Sequence, residues 1–201
     1  ILAQSKSKAT EKPDFAAQLA PRLKEGAFIA LVALALYMTL ALVSFDRTDP
    51  GWTYTGSGET VNNLVGRSGA WVADVFLFFF GFLAYLFPMM LAWQAWVIFR
   101  ERVSESEFSW PVFIFKGLGL LLTVLAGTAL AAMHFYNYGQ GYQYGSGGIV
   151  GTEVTDLLIP VFSYLGATLI LLATFLFGLT AFLDIYWLQL MEAMGRLSLS
   201  L

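Results

Sequence analysis

Four long stretches of apolar residues, free of charged side chains, dominate the hydropathy pattern of the chain. They cover residues 26–45, 75–99, 117–136 and 157–183. About 20 helical residues cross the roughly 30 Å hydrocarbon core of a bilayer, so each stretch is long enough to span it. A charged side chain at mid-membrane costs about 2.5–3.5 kcal/mol on insertion scales, which accounts for the absence of charge. The pattern therefore predicts an all-α, polytopic membrane protein with four transmembrane helices.

The positively charged side chains predict which side of the membrane each loop faces. Of the 11 Lys and Arg residues, Arg47 and Arg67 lie in the first loop and none lies in the third. The other nine lie in the N-terminal segment, the second loop and the C-terminal tail. Cytoplasmic loops carry the excess of Lys and Arg, and four spans return the chain to its starting side. We therefore expect both termini to be cytoplasmic.

The spans divide the chain into a short N-terminal segment, a membrane domain and a tail. We expect the membrane domain to have two outer loops and one inner loop. The predicted parts are a cytoplasmic N-terminal segment (1–23), a four-helix transmembrane domain (24–195), outer loops (46–74 and 137–156), an inner loop (100–116) and the start of a cytoplasmic linker (196–201). Because the chain begins at Ile1 and not at Met, and ends without a stop-like feature, we expect it to be part of a longer protein.

Small residues recur at three- and four-residue spacing in the second and third spans. Such stripes let a neighbouring helix backbone approach closely, and a proline within the second span predicts a kink there. Packing inside one subunit and contact between subunits are both compatible with the pattern. The predicted packing residues are Gly81, Ala84, Pro88 and Ala92 in the second span, and Gly119, Thr123, Gly127 and Ala131 in the third.

Composition and charge exclude several function classes. Hydrophobic residues make up 58% of the chain and charged residues 12%, the net charge is −3, and cysteine is absent. The negative balance argues against nucleic-acid binding by this segment, and no glycine-rich phosphate loop occurs. The single histidine, His134, is a poor basis for a metal site, because zinc requires three or four protein ligands. We therefore expect no catalytic residue, metal or cofactor in this chain.

Two alternatives to a structural membrane module stay open at this point. One is a small oligomeric channel or transporter, with a pore formed by the small-residue stripes. Ionisable groups are expected at depth in such proteins, and the four spans contain no Asp, Glu, Lys or Arg. The other is a membrane-embedded enzyme, which needs inward-facing acid–base groups that the sequence does not supply.

The two predicted outer loops carry the most distinctive residue patterns. In the first, Asp49-Pro50-Gly51 is turn chemistry, and Asp74 precedes the second span, where the helix dipole favours a carboxylate cap. The other outer loop alternates Tyr and Gly over residues 136–145, a composition suited to protein contacts. The apolar residues after it predict a short interfacial or re-entrant helix that ends near Pro160.

Three motifs in these loops carry a family resemblance. They are Ser44-Phe45 with Asp49-Pro50 and Trp52, the run Asn63-Leu64-x-Gly66-x-x-Gly69-Ala70-Trp71-x-Ala73-Asp74, and Ser146-Gly147-Gly148-Ile149-Val150-Gly151. In these motifs, and in span number and spacing, the sequence resembles the N-terminal membrane domain of the FtsK/SpoIIIE family of bacterial DNA translocases over roughly residues 22–195.

The resemblance implies a function for the whole protein. It implies an inner-membrane protein of the division septum, whose membrane domain anchors a cytoplasmic, hexameric, ATP-driven DNA motor and contacts other division proteins. ATP, magnesium and DNA would bind only to the motor, which lies outside these 201 residues. The outer-loop residues that we expect to contact partners are Asp46, Asp49, Pro50, Trp52, Asn63, Gly66, Gly69, Trp71, Asp74, Gly147, Gly148 and Gly151.

Overall fold

A computed structural model describes residues 15–56, 60–100, 110–135, 145–183 and 196. Across these residues the chain is helical and contains no strand, which confirms the all-α prediction. Four helical stretches are long and apolar enough to cross a membrane, which confirms the predicted number of spans. The elements are α1 (Phe15–Val43), α2 (Gly66–Phe80), a 3₁₀ turn (Gly81–Tyr85), α3 (Leu86–Arg100), α4 (Trp110–His134) and α5 (Gly148–Leu183).

Several predicted segments lie outside the described residues. They include most of the N-terminal segment, most of the inner loop, the Tyr- and Gly-rich part of the second outer loop and most of the C-terminal tail. The ranges are 1–14, 57–59, 101–109, 136–144, 184–195 and 197–201.

The helices pack in two pairs that bury small residues and expose large ones. One pair is α1 with α3, and the other is α4 with α5. Ala41 and Ala129 are fully buried, whereas Leu36 and Leu165 are 60% and 75% exposed. Lipid tails are as apolar as leucine, so helices in a bilayer gain little from hiding large side chains and associate through close backbone contact. This distribution agrees with a membrane-embedded bundle.

The contact between α4 and α5 depends on two facing glycines. A Cβ on Gly178 would lie 2.7 Å from the carbonyl oxygen of Gly119 and 2.7 Å from the backbone nitrogen of Thr123. A Cβ on Gly119 would lie 2.9 Å from the carbonyl oxygen of Gly178. The two backbones are therefore in direct contact, and this contact lies within the predicted stripe of the third span.

We expect Gly178→Ala to destabilise the domain, because the added methyl overlaps backbone atoms that cannot rotate away. Overpacking of this kind costs roughly 1–3 kcal/mol. Gly117→Ala is the matched control, since a Cβ on Gly117 would meet nothing within 4 Å. The measurement is the free energy of unfolding of each purified variant in mixed micelles. A loss for Gly117→Ala as large as that for Gly178→Ala would contradict the packing assignment.

The second span is interrupted by a 3₁₀ turn at Gly81–Tyr85, just before Pro88, where a kink was predicted. Gly81 has φ 53°, a left-handed conformation that glycine adopts without steric cost. The 3₁₀ turn follows, and the backbone N–H of Phe82 donates to the carbonyl oxygen of Ser146 at 2.8 Å. Pro88 lies in the first turn of α3, where its missing N–H has no intrahelical partner to lose. The break therefore precedes the proline.

The helix before this break begins earlier than the hydropathy pattern indicates. Helix α2 starts at Gly66, so residues 66–74 of the predicted outer loop are helical. Its residues Ala73 and Leu77 pack with Ala41 and Leu42 at the end of α1. Apolar contact with α1 thus extends the helix through a polar stretch of sequence.

Helix α5 folds back on itself at Ser163, which has φ 58° and ψ 171°. Its first segment (residues 148–162) contacts α4 at Thr128, because a Cβ on Gly151 would overlap the Thr128 carbonyl oxygen. Its second segment (residues 164–183) contacts the adjacent Gly127, where an added Cβ would lie 3.0 Å from the ring of Phe175. In a straight helix Gly151 and Phe175 would be roughly 36 Å apart. The first segment is therefore re-entrant, one of the two forms predicted for it.

The residues predicted to pack the helices differ in burial. Gly81, Ala84, Pro88, Gly119, Thr123, Gly127 and Ala131 are buried within the chain. Ala92 is exposed and lines an open groove between α1 and α3. Ala95, three residues later, is 1% exposed, so Ala92 is an exposed position within an otherwise buried stripe.

Candidate functional site

The candidate site is the end of the bundle that carries the loop motifs, here called the loop layer (residues 44–56, 60–80 and 145–162). It joins the loop between α1 and α2, helix α2, and the re-entrant segment of α5. The predicted partner-binding residues all lie here.

Asp74 lies in the middle of α2, so the prediction that it caps a helix is wrong. Its side chain is 3% exposed and accepts two hydrogen bonds from Thr53: from the backbone N–H at 2.6 Å and from the hydroxyl at 2.7 Å. Gly51 packs against the same carboxylate, since an added Cβ would lie 2.5 Å from its Oδ2. Asp74 therefore fastens the first loop to α2.

Asp49 is a second buried carboxylate, and it accepts hydrogen bonds from within its own loop. It is 2% exposed, and its two carboxylate oxygens accept the backbone N–H groups of Asn62 at 2.7 Å and Asn63 at 2.8 Å. A buried carboxylate is tolerated when hydrogen bonds replace its water, as they do here. Asp49 thus closes the loop on itself.

Asn63 connects the loop to the end of α1. Its side-chain amide donates to the carbonyl oxygens of Ala41 at 2.8 Å and Ser44 at 3.2 Å. The last carbonyl groups of a helix lack intrahelical partners, so this amide satisfies acceptors at the end of α1. Its Oδ1 accepts the backbone N–H of Val65 at 3.1 Å, and Gly69 has no room for a side chain beside it.

Asp46 is more accessible than Asp49 and Asp74. It accepts the backbone N–H of Thr48 at 2.8 Å, the Thr48 hydroxyl at 2.8 Å and the Asn62 amide at 3.1 Å. These bonds favour the ionised form, so the Thr48 backbone N–H, the Thr48 hydroxyl and the Asn62 amide hold the pKa of Asp46 below its usual value, in that order of effect. Asp46 remains charged at the surface of the loop layer.

The glycines of the third motif are buried in a backbone junction that joins three helices. The Ser146 hydroxyl donates to the carbonyl oxygen of Ala131 at 2.7 Å. Gly148 has φ 64°, and a Cβ there would overlap the Phe79 carbonyl oxygen. A Cβ on Gly147 or on Gly151 would likewise overlap the Thr128 carbonyl oxygen. This glycine junction is Gly81, Gly147, Gly148 and Gly151 with Ser146.

The surface of the loop layer carries two exposed tryptophans. Trp52 is 52% exposed and stacks on Phe79, with ring centroids 5.5 Å apart. Trp71 is 50% exposed and precedes Phe78, a second neighbour of Trp52, by seven residues on α2. Seven residues are about two helical turns, so Trp71 lies on the same face of α2 as Phe78, one of the two rings that contact Trp52. We call Trp52 and Trp71 the tryptophan pair.

The predicted partner-binding residues thus fall into two groups. Asp49, Asn63, Gly69, Asp74, Gly147, Gly148 and Gly151 are buried and hold the layer together, whereas Asp46, Pro50, Trp52, Gly66 and Trp71 retain accessible surface. Partner contact stays a prediction for the second group. Gly66 has φ 73° and begins α2, so its conformation also has a structural reason.

Sequence reasoning missed the partners of the buried carboxylates, Thr53 and Asn62, and the turn at Ser163. Buried carboxylates require donors, so Asp49 and Asp74 were a signal to search the loop for them. His134 is exposed, and its Nδ1 lies 3.2 Å from the Leu130 carbonyl oxygen. Among the described residues no group of three or more His, Asp or Glu side chains is placed to hold a metal ion.

Comparison with known proteins identifies the family. Residues 20–195 match the 4TM region of DNA translocase FtsK/SpoIIIE. DNA translocase FtsK of Pseudomonas syringae pv. syringae is 42% identical over 185 residues, which are 92% of this chain and 23% of the relative. The Pseudomonas aeruginosa protein of that name is 39% identical over 90% of this chain and 23% of the relative. The Vibrio vulnificus protein is 36% identical over 89% of this chain and 18% of the relative.

The chain therefore spans less than a quarter of the length of these relatives. No solved structure matches it. The matched residues include all four membrane-spanning helices and the loop layer between them. The chain belongs to the FtsK/SpoIIIE family of DNA translocases, as the four-helix membrane region of such a protein.

Proposed function

We propose that this chain anchors a cytoplasmic DNA-translocating motor in the inner membrane at the division septum, and that its loop layer contacts other division proteins. The observation that carries the proposal is the match of the four-helix region, together with four apolar helices that expose large side chains to lipid. The chain matches the 4TM region and covers 23% of the first of these relatives. On this proposal, catalysis and the binding of ATP, magnesium and DNA belong to a motor outside the chain.

The charge pattern supports an orientation with both termini in the cytoplasm. Arg22 and Arg100 lie at one end of the bundle, at the start of the α1 span and the end of α3. The loop layer lies at the other end, which on this orientation is outside the cytoplasm. The anchor then holds the motor beside the chromosome and presents the loop layer to proteins on the far side of the membrane.

A hexameric motor would bring six such anchors close together. High local concentration promotes weak contacts, so the membrane regions need no strong affinity of their own. Interaction through the loop layer would then be multivalent, which raises the effect of a modest surface such as the tryptophan pair.

The tryptophan pair is the part of the loop layer best suited to partner contact. Tryptophan supplies large contact area at interfaces and is enriched among residues that dominate binding energy. Both side chains are half exposed, and the buried carboxylates below them keep the layer rigid. A rigid surface loses less conformational entropy on binding.

The test is septal localisation of a full-length protein that carries this membrane region, in a strain lacking the native copy. We expect Trp52→Ala with Trp71→Ala to reduce septal localisation and to lengthen cells while membrane insertion is retained. Leu34→Ala is the matched control, because Leu34 is 46% exposed on α1, away from the loop layer. Normal septal localisation and division with the double variant would contradict the proposed contact surface.

A further inference from the structure

An open apolar groove of about 390 Å³ runs between α1 and α3. It is lined by Phe28 and Leu36 on α1 and by Ala92 and Trp96 on α3. The small side chain of Ala92 contributes to this space, and a leucine there would narrow it. The groove extends along α1 from Phe28 to Thr39, a length of roughly 16 Å at the helical rise. This is about half of the roughly 30 Å hydrocarbon core, the depth of one leaflet.

The walls of the groove suit a hydrocarbon chain. Thr39 lies at its deep end, and its hydroxyl donates to the Ala35 carbonyl oxygen at 2.7 Å. The hydroxyl therefore does not require a hydrogen-bonding ligand. The remaining lining is apolar or aromatic, and the openness to lipid allows a chain to enter from the bilayer.

The other end of the groove opens beside basic side chains. Phe28 also lines a second pocket of about 250 Å³ together with Lys24, Glu25 and Phe99, so the second pocket adjoins the groove at Phe28. Phe28 and Phe99 form its floor, with ring centroids 5.4 Å apart. Arg100 follows Phe99 at the end of α3.

The charges at this mouth are predominantly positive. Arg22 shares a helical face with Glu25, three residues later. Among the described residues near this mouth, Arg22, Lys24 and Arg100 are cations and Glu25 is a carboxylate. Basic residues at the membrane surface attract anionic lipid headgroups, and a salt-screened attraction of this kind acts over about 10 Å.

We propose that this groove is a binding site for one anionic phospholipid. An acyl chain occupies the space between α1 and α3, and the headgroup phosphate lies at the mouth, near Lys24 and Arg100. The leaflet is the cytoplasmic one if the proposed orientation is correct, but lipid binding itself does not depend on that orientation. The site would make the stability of the α1–α3 pair depend on lipid composition.

The test is native mass spectrometry of the purified chain, released from micelles that contain equal amounts of phosphatidylglycerol and phosphatidylethanolamine. We expect the wild type to retain one phosphatidylglycerol in preference. Lys24→Gln and Arg100→Gln should each reduce that preference about five-fold, the effect of one cation near an anionic headgroup. Ala92→Leu should weaken retention of the bound lipid, because the larger side chain narrows the groove.

Ala33→Leu is the matched control for Ala92→Leu. Ala33 is also an exposed alanine on a membrane-spanning helix, and it does not line the groove. Thermal unfolding of each variant without added lipid is the control that tests whether the variant folds. Equal retention of the two lipids, or unchanged retention in Ala92→Leu, would overturn the proposal. So would a dimer mass in the wild type that Ala92→Leu removes, because the groove would then be occupied by a second copy of the chain.

Discussion

Replacing Gly148 with alanine is expected to destabilise the membrane domain more than any other single methyl addition discussed above. The residue has φ 64°, which costs an L-residue roughly 1–2 kcal/mol. The added Cβ would also overlap the Phe79 carbonyl oxygen, and overpacking adds roughly 1–3 kcal/mol. Both effects involve backbone, so no side-chain rotation relieves them. We expect a loss of about 2–5 kcal/mol in the free energy of unfolding in mixed micelles.

Gly145→Ala separates the two causes. Gly145 has φ 71°, and a Cβ there would meet nothing within 4 Å. This variant should therefore lose only the conformational part, roughly 1–2 kcal/mol. If both variants lost the same free energy, the close approach of α5 to the break after α2 would be wrong, and the glycine junction would reduce to a turn.

Asp74→Ala should loosen the loop layer. The carboxylate accepts the backbone N–H and the hydroxyl of Thr53, and both would be left without their acceptor. Hydrogen bonds to a charged acceptor contribute about 1.5–3 kcal/mol each, and partial solvation of Thr53 recovers part of this. We expect a net loss of roughly 2–4 kcal/mol of unfolding free energy and faster proteolysis within residues 46–62.

Asp46→Ala is the control for Asp74→Ala, since it removes the same group from the same layer at an accessible position. Its unfolding free energy and proteolysis rate should change little, because water replaces the lost hydrogen bonds. An Asp74→Ala protein as stable and as protease-resistant as Asp46→Ala would show that the buried carboxylate does not fasten the loop to α2.

The number of spans was predictable from sequence, because the energetic cost of charge in the bilayer leaves long uncharged runs. The interruption of the second span was not. Residues 75–99 read as one apolar run, and the break at Gly81 depends on the Ser146 carbonyl oxygen, which accepts the N–H of Phe82. A hydropathy pattern does not indicate a hydrogen-bond partner that lies more than 60 residues away in the chain.

The start of α2 illustrates the same limit. Asp74 directly precedes the apolar run of residues 75–99, and a carboxylate at that position predicts a cap at the start of the membrane helix. In the folded chain Thr53 satisfies this carboxylate from a loop 21 residues earlier, so the helix continues through it. Polar residues end a predicted span because their partners are unknown, not because the helix stops.

Most motif residues of the loop layer are buried and have structural contacts within the chain. Glycine and aspartate in a loop are compatible with partner contact and with tight internal packing, and sequence alone does not separate the two. Burial does: Asp49, Asn63 and Asp74 are all under 5% exposed, whereas Trp52 and Trp71 are half exposed. Fewer residues are therefore accessible for partner contact than the motifs contain.

On the proposed orientation the loop layer lies outside the cytoplasm, while the ends of the chain lie inside. The absence of cysteine allows a direct measurement, since a single introduced cysteine is the sole target for a membrane-impermeant maleimide in this chain. Thr60→Cys in the loop layer and Arg22→Cys at the start of the first span are both at exposed positions. We predict that Thr60→Cys is labelled in intact spheroplasts and that Arg22→Cys is labelled only after the membrane is permeabilised. Labelling of Arg22→Cys in intact spheroplasts, with Thr60→Cys protected, would contradict this orientation.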